Sequence, residues 1–230
     1  MTNEKNVPTC SCAICIENAS KSIQKHLVLD NINFLVHSGE FICIHGPNGS
    51  GKTMLLRAIS GLIRMDSGRI RVFDQEIGRG DEFPRDLGAL IGAPGFLKEY
   101  SGLYNLELLA SIQNRVSREE IIDSIKQVGL NPDDHRPVKT YSTGMLQRLG
   151  VAQAIMERPR LLLLDEPTSS LDPDGEEQIM SLFNVLHDEG VTILLVSHDK
   201  KDSLAHYQSI YQMKAGSLYL EKTIQDSSLS

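Results

Sequence analysis

A glycine-rich loop stands out in the first quarter of the chain: Gly46-Pro47-Asn48-Gly49-Ser50-Gly51-Lys52-Thr53. The loop fits the Walker A pattern Gly-x4-Gly-Lys-Ser/Thr, and it lies between the apolar residues 41–44 and a helix-like run that begins at Met54. Glycines let successive backbone N–H groups turn toward a phosphate, and the following helix adds the positive end of its dipole. The sequence therefore predicts a phosphate-binding loop between a strand and a helix.

The last two residues of the loop carry the charge and the metal chemistry. Lys52 is expected to reach the β- and γ-phosphates of a nucleotide as a point charge. The hydroxyl of Thr53 is expected to take one place around a Mg²⁺ ion that keeps several waters. The alternative is an ordinary glycine-rich turn that matches the motif by chance.

The composition is that of an ordinary globular protein. A chain of 230 residues is long enough for one large core, or for a core that carries an inserted subdomain. The net charge of -7 argues against a general nucleic-acid binder, whose affinity depends on Lys and Arg. No stretch approaches the roughly 18 consecutive apolar residues of a membrane span, and residues 1–5 lack the apolar core of a signal peptide. We therefore expect a cytosolic chain.

Three of the four cysteines, Cys10, Cys12 and Cys15, cluster near the start of the chain. Their spacing is irregular, and no pair of histidines completes a four-ligand zinc site. A buried strand through Ala13-Ile14-Cys15-Ile16 is the preferred interpretation, with zinc as the alternative.

Hydrophobic patterning predicts an α/β protein. Residues 1–9 are polar and are expected to be loose. Strands at about 12–17 and 28–36 fit an antiparallel edge beside the loop strand. The helix after the loop is expected to run to about residue 62, and shorter strands follow at 69–73 and 87–91.

Helical signals dominate residues 93–158. Three helices are predicted there. Periodicity starts a first at Asn105; start and stop residues give a second from the capping box Ser117 and Glu120 to Gly129, and a third from Ser142 to a stop at Pro159.

The α/β pattern returns after this helical segment. Residues 161–164 and 191–196 are continuously apolar, as is typical of buried parallel strands. Between them Asp172-Pro173 starts a helix that Gly190 ends. Two shorter strands are expected at about 208–213 and 218–221.

Two carboxylates follow the first of these buried strands, in Leu164-Asp165-Glu166-Pro167, the Walker B pattern. This position places them at the carboxyl edge of the sheet, where the phosphate loop is also expected. Asp165 is predicted to hold Mg²⁺, and Glu166 to orient and deprotonate an attacking water. A solvated acidic strand end is the alternative.

The second buried strand leads into Ser197-His198-Asp199. An imidazole at this edge can reach a γ-phosphate and stabilise the charge that grows in the transition state. By itself His198 would more often be a structural residue at a helix start, but the Walker pair favours the catalytic role.

These residues resemble the ATP-binding cassette (ABC) family. The resemblance covers about residues 12–215, and the chain is most similar to bacterial exporters of bacitracin- and lantibiotic-type peptides and related multidrug systems. Its motifs are the signature Tyr141-Ser142-Thr143-Gly144-Met145 followed by Gln147-Arg148, the Walker B and D-loop residues Asp165-Glu166-Pro167-Thr168 and Ser170-Leu171-Asp172, and the switch histidine His198.

The resemblance implies an ATPase with a P-loop NTPase core, ATP and Mg²⁺ as its ligands, and a head-to-tail dimer. Ser142 and Gly144 of one subunit would cover the γ-phosphate that the other subunit's Walker A loop holds. In a single subunit Ser142 has no reason to reach Lys52, although a plain N-cap role is its alternative.

The resemblance also implies one cassette domain over residues 10–230. Its divisions are an α/β core at about 10–92 and 159–215, a helical subdomain at about 93–158 and a short tail at 222–230. The expected partner is a separately encoded transmembrane permease on the inner face of the cell membrane, with the helical insert as the docking surface. The rivals are a hydrolysis-poor regulatory cassette and a soluble clamp ATPase of translation or DNA repair.

Two positions depart from the family pattern. Gly92 stands where the family usually has Gln, or Glu in peptide-immunity members. Ile23 stands where an aromatic residue normally stacks on adenine. Both departures are expected to affect nucleotide affinity and turnover while leaving the phosphate site in place.

Overall fold

The computed structural model describes residues 12–78, 83–198 and 207–223. The strands are β1 Cys12–Ile23, β2 His26–His37, β3 Phe41–His45, β4 Ser67–Val72, β5 Gln75–Ile77, β6 Leu87–Leu90, β7 Leu161–Asp165, β8 Thr192–Ser197, β9 Ser209–Lys214 and β10 Ser217–Thr223. The α-helices are α1 Lys52–Ile59, α2 Gly102–Gln113, α3 Arg118–Gln127, α4 Thr143–Ile155 and α5 Pro173–Asp188. The tail predicted at 1–9 lies outside the described residues.

The central sheet has six strands in the order β10-β9-β3-β8-β7-β6. Strands β6, β7, β8, β3 and β9 are parallel to their neighbours, and β10 closes the edge in the antiparallel direction. Val196 of β8 is in register with Ile44 of β3 on one side and with Asp165 of β7 on the other. The carboxyl ends of these three strands therefore meet at one edge, which is where open α/β sheets bind ligands.

A second sheet contains the antiparallel strands, in the order β2-β1-β4-β5. The antiparallel strands are confirmed, but β1 and β2 do not pair with β3 as the edge of the central sheet. They extend to twelve residues each around the turn at Gln24 and Lys25, and the other side of β1 pairs with β4. Since both sides of β1 already have partners, the strands form a sheet of their own.

Two hydrophobic clusters lie on opposite faces of the central sheet. Alternation along β7 sends Leu161 and Leu163 to the cluster shared with α1 and the antiparallel sheet, and Leu162 and Leu164 to the other face. The second cluster also contains Phe183 of α5 and the buried hydrophobic residues of α2, α3 and α4. The helical segment is thus packed on the face opposite α1.

Side-chain caps set the starts of the helices. The predicted capping box is present, since Ser117 accepts from the Glu120 amide and the Glu120 carboxylate accepts from the Ser117 amide. The predicted α2 start at Asn105 is wrong by three residues, because the Ser101 hydroxyl caps the helix and the buried Asn105 amide instead binds the backbone at Leu97. The end of α1 at Ile59 is also earlier than the predicted residue 62.

In the described ranges, every helix is too short or too polar to cross a membrane.

Candidate active site

The phosphate loop connects β3 to α1, as the sequence predicts, and neighbouring backbone explains two of its glycines. A Cβ atom added to Gly46 would lie 2.2 Å from the carbonyl oxygen of Met213 in β9. One added to Gly51, which has φ +111°, would lie 2.6 Å from the carbonyl oxygen of Val28 in β2. Any side chain at either position would displace the loop from the strands that support it.

Lys52 and Ser50 give this loop its polar interior. The Lys52 ammonium is buried and donates to the carbonyl oxygens of Gly46 at 2.7 Å and Pro47 at 3.1 Å. The buried hydroxyl of Ser50 has no hydrogen-bond partner among the described residues. An ammonium, an unpaired hydroxyl and the N-terminus of α1 in one loop fit a phosphate group.

Thr53 and Asp165 bring the two Walker motifs together. The Thr53 hydroxyl donates to Oδ2 of Asp165 at 2.8 Å, which joins the first turn of α1 to the end of β7. A hydroxyl and a carboxylate at this separation are suitable oxygen ligands for Mg²⁺, which takes few protein ligands and keeps water around it. The pair is therefore the candidate metal site.

Glu166 follows Asp165 in an unusual backbone conformation. Its φ is +50°, the left-handed region that non-glycine residues rarely adopt. Its amide donates to the Val196 carbonyl oxygen at 2.9 Å, and its own carbonyl oxygen accepts from the Ser169 amide at 3.2 Å. The turn directs the carboxylate to His198, whose Nδ1 lies 3.3 Å from Oε2 of Glu166. Both side chains are partly exposed, so water can reach them.

Buried ionisable groups near this pair do not supply another nucleophile. Burial raises the pKa of the Cys43 thiol to about 12, so this thiol stays neutral at physiological pH. Burial also raises the pKa of the Tyr207 phenol, which lines the same pocket as Cys43, Glu166 and His198. Glu166 and His198 therefore remain the candidates for chemistry here.

Ser142 and Gly144 lie apart from the phosphate loop of their own chain. The Ser142 hydroxyl caps α4 by accepting from the Met145 amide at 3.1 Å, and the residue is exposed. Within the described ranges no hydrogen bond joins Ser142 to residues 46–53. The structure thus groups Lys52, Thr53 and the Walker B residues with His198, and leaves Ser142 and Gly144 outside that group.

Comparison with known proteins identifies the family. The family model "ABC transporter" matches residues 29–169. The chain belongs to the ABC transporter family. The uncharacterized ABC transporter ATP-binding protein YybJ of Bacillus subtilis (strain 168) is 39% identical over 201 residues, which cover 87% of this chain and 92% of YybJ. The lantibiotic transport ATP-binding protein SrtF of Streptococcus pyogenes is 36% identical over 210 residues, covering 90% of this chain and 89% of SrtF.

A solved ABC cassette has the same fold. The dimeric post-hydrolysis state of the ATP-binding cassette MJ0796, bound to ADP and Pi, gives a TM-score of 0.82 at 25% identity and covers 92% of this chain and 99% of MJ0796. The predicted P-loop NTPase fold is confirmed, and so is the assignment to the ABC ATPases. The chain is an ABC ATPase domain, and cassettes of this kind bind ATP.

The two departures from the ABC pattern have clear places in the fold. Gly92 lines a groove of roughly 430 Å³ together with Thr53, Asp165 and Glu166, so its position faces the candidate metal site. Ile23 ends β1 at the tip of the hairpin with β2 and is exposed.

Substituting Gly92 with glutamine tests its position. An added Cβ has no atom within 4 Å, so the longer side chain has space to reach the groove, although φ +71° imposes a strain of about 1–2 kcal/mol. We expect Gly92→Gln to raise the rate of phosphate release about ten- to hundredfold and to lower the Mg²⁺ requirement, at a small cost in thermal stability.

The matched control for this substitution is Gly95→Gln. Gly95 is exposed three residues away and also has open space around an added Cβ. A Mg²⁺ titration of steady-state phosphate release compares the three proteins. If Gly92→Gln behaves as Gly95→Gln and the parent do, another residue already supplies the missing contact.

One contact of the cassette was missed by the sequence analysis. Gln147 was identified as part of the signature motif, but its contact with the Walker B segment was not foreseen. In the structure its Nε2 donates to the carbonyl oxygen of Glu166 at 3.0 Å. The distance in sequence is 19 residues, and no spacing rule within the motif points to Glu166 as the partner.

Proposed function

We propose that this cassette hydrolyses ATP, with Mg²⁺, to energise a separately encoded membrane permease that exports peptide or drug-like substrates. The observation that carries the proposal is the junction of the two Walker motifs, in which Thr53 and Asp165 meet at 2.8 Å beside the pair Glu166 and His198. The similarity to a lantibiotic transport ATP-binding protein supports the peptide class of substrate.

In this proposal the phosphate loop binds the nucleotide, and the residues at the Walker B end of β7 take part in hydrolysis. Backbone amides of residues 46–53 and the Lys52 ammonium hold the β- and γ-phosphates. Thr53 and Asp165 hold Mg²⁺, which neutralises charge on the phosphates when it is bound.

Glu166 is proposed to orient the attacking water and to accept its proton as the water oxygen bonds to the γ-phosphorus. The bond between that phosphorus and the β-phosphate oxygen breaks, leaving ADP and phosphate. His198, within 3.3 Å of Glu166, stabilises the charge on the γ-phosphoryl oxygens as it is transferred.

The signature residues support a head-to-tail dimer. Ser142 is exposed at the N-terminus of α4, where its hydroxyl, the backbone donors and the helix dipole are available to an anion of another subunit. A second cassette that places its Lys52 loop opposite Ser142 would complete two composite sites, and the dimeric state of MJ0796 is consistent with this.

An apolar stripe on and before α2 supports docking to the permease at the cytoplasmic face of the membrane. Its members, which recur every four residues and are all exposed, are Tyr100, Tyr104, Leu108 and Ile112. The first two rings stack with centroids 4.7 Å apart, and Ile112 is 77% exposed. A row of large apolar side chains in solvent is typical of a protein interface.

Charge placed on this stripe tests the proposed permease complex. Tyr104→Asp should abolish co-purification with the partner permease, and with it ATP-driven peptide transport in reconstituted vesicles, because a desolvated carboxylate opposes docking. Val185→Asp, at an exposed apolar residue of α5, is the matched control. If both variants bind and transport as the parent does, the stripe is not the docking surface; a parent that binds no permease would favour a clamp ATPase.

The second candidate function is a regulatory cassette that binds ATP and hydrolyses it poorly. The observation that favours it is Gly92, which brings no side-chain oxygen to the groove beside Thr53 and Asp165. A permease complex that traps ATP without releasing phosphate would support this candidate over the first.

A further inference from the structure

We infer that Gln147 is a positioning residue for Glu166, and that through it α4 links the two composite sites of the dimer. The inference rests on the proposed function, because it uses the roles proposed there for Glu166 and Ser142. It begins from one contact: Nε2 of Gln147 donates to the backbone carbonyl oxygen of Glu166 at 3.0 Å.

The backbone that Gln147 holds is strained. A non-glycine residue at φ +50° is disfavoured by about 1–2 kcal/mol, and such residues persist where surrounding contacts fix them. Glu166 has two backbone hydrogen bonds, to Val196 in the sheet and to Ser169 in its own turn. Gln147 adds a side-chain hydrogen bond from the helical segment. Loss of this hydrogen bond would widen the range of positions that the Glu166 carboxylate can adopt, without altering the phosphate loop.

A second contact places α4 against the same turn. A Cβ added to Gly144 would lie 3.1 Å from the carbonyl oxygen of Ser170, so the first turn of α4 packs closely on the segment that follows Glu166. Ser142 and Gln147 are separated by about 7.5 Å of helix rise, a short and stiff distance. A shift of Ser142 therefore moves the donor that holds Glu166.

The two ends of this helix serve different nucleotides in a head-to-tail dimer. Ser142 would contact the ATP bound by the partner, while Glu166 acts on the ATP bound by its own chain. Gln147 thus couples occupation of one site to the position of the carboxylate in the other, which predicts cooperative dependence of hydrolysis on ATP concentration.

The test compares Gln147→Leu with Gln153→Leu. Leucine keeps much of the volume and removes the donor. Gln153 lies in the same helix and is half-buried, and its side chain has no hydrogen bond to any described residue. Gln153→Leu therefore measures the effect of a leucine in α4 that removes no hydrogen bond. In steady-state phosphate release by the permease complex, Gln147→Leu should lower kcat about tenfold and leave KM for ATP within about twofold. Its ATP dependence should also lose the sigmoidal shape of the parent.

Amide hydrogen exchange gives a readout independent of activity. In the nucleotide-free cassette, the amides of Glu166, Thr168 and Ser169 should exchange faster in Gln147→Leu and at the parent rate in Gln153→Leu. Equal effects of the two variants on kcat, or unchanged exchange at this turn, would overturn the positioning role. A parent curve that is already hyperbolic would overturn the coupling alone. If Glu166→Gln hydrolysed ATP at the parent rate, the role proposed for Glu166 would be wrong. The exchange measurement would still test the Gln147 contact, because it does not depend on hydrolysis.

Discussion

Glu166→Gln should lower the rate of ATP hydrolysis about a hundred- to ten-thousandfold while leaving ATP binding intact. The amide keeps the size and much of the hydrogen bonding of the carboxylate, including a contact with His198, but it cannot accept the proton of the attacking water. Since ATP would bind without being cleaved, the head-to-tail dimer should accumulate. Gel filtration with ATP and Mg²⁺ measures the dimer, and phosphate release measures the rate.

The control for this variant is Glu177→Gln, which makes the same chemical change at an exposed position of α5. It should match the parent in both measurements. Hydrolysis by Glu166→Gln at the parent rate would remove Glu166 from the role of general base and make His198, 3.3 Å away, the next candidate.

The chemistry of this site was predictable from sequence because its motifs are local. The loop at residues 46–53 and the pair Asp165 and Glu166 each follow directly after a strand, at the point where the chain turns, so neighbouring residues determine their geometry. Register between β7 and β8 then brings Asp165 level with Val196, two residues before His198. The roles of these residues remain predictions, but the structure does place the three groups at one sheet edge.

Contacts that depend on long-range pairing were not predictable. Hydrophobic alternation predicts that β1 and β2 are strands, but it does not tell whether β1 pairs with β3 or β4. The left-handed backbone of Glu166 is fixed by Val196 and Gln147, which are 30 and 19 residues away in the chain. The start of α2 was predicted three residues late, because Ser101 caps the helix and the periodicity alone does not show this; the Asn105 amide holds the preceding loop instead.

Lys52→Ala should weaken ATP binding about ten- to a hundredfold, because it removes a buried ammonium from a loop that is proposed to hold the β- and γ-phosphates. Arg57→Ala, which deletes an exposed cation five residues further along α1, should leave the Kd unchanged. Ser142→Ala should also leave ATP binding by the monomer unchanged and instead impair dimer closure and hydrolysis. Titration with a fluorescent ATP analogue separates the binding defect from the closure defect, and a Lys52→Ala protein with parent affinity would contradict the assignment.

A mixture of these two variants tests the dimer itself. In a head-to-tail heterodimer both substitutions fall in one composite site, and the other site combines an intact Lys52 with an intact Ser142. Equal mixing makes half of the dimers heterodimers with one working site each, so about a quarter of the parent activity should return if the sites act independently. Coupling through Gln147 would reduce that recovery, because the working site receives its Glu166 from the chain whose Ser142 is lost. If every mixing ratio gives no more than the sum of the separate activities, Ser142 acts within its own chain and the head-to-tail arrangement is wrong.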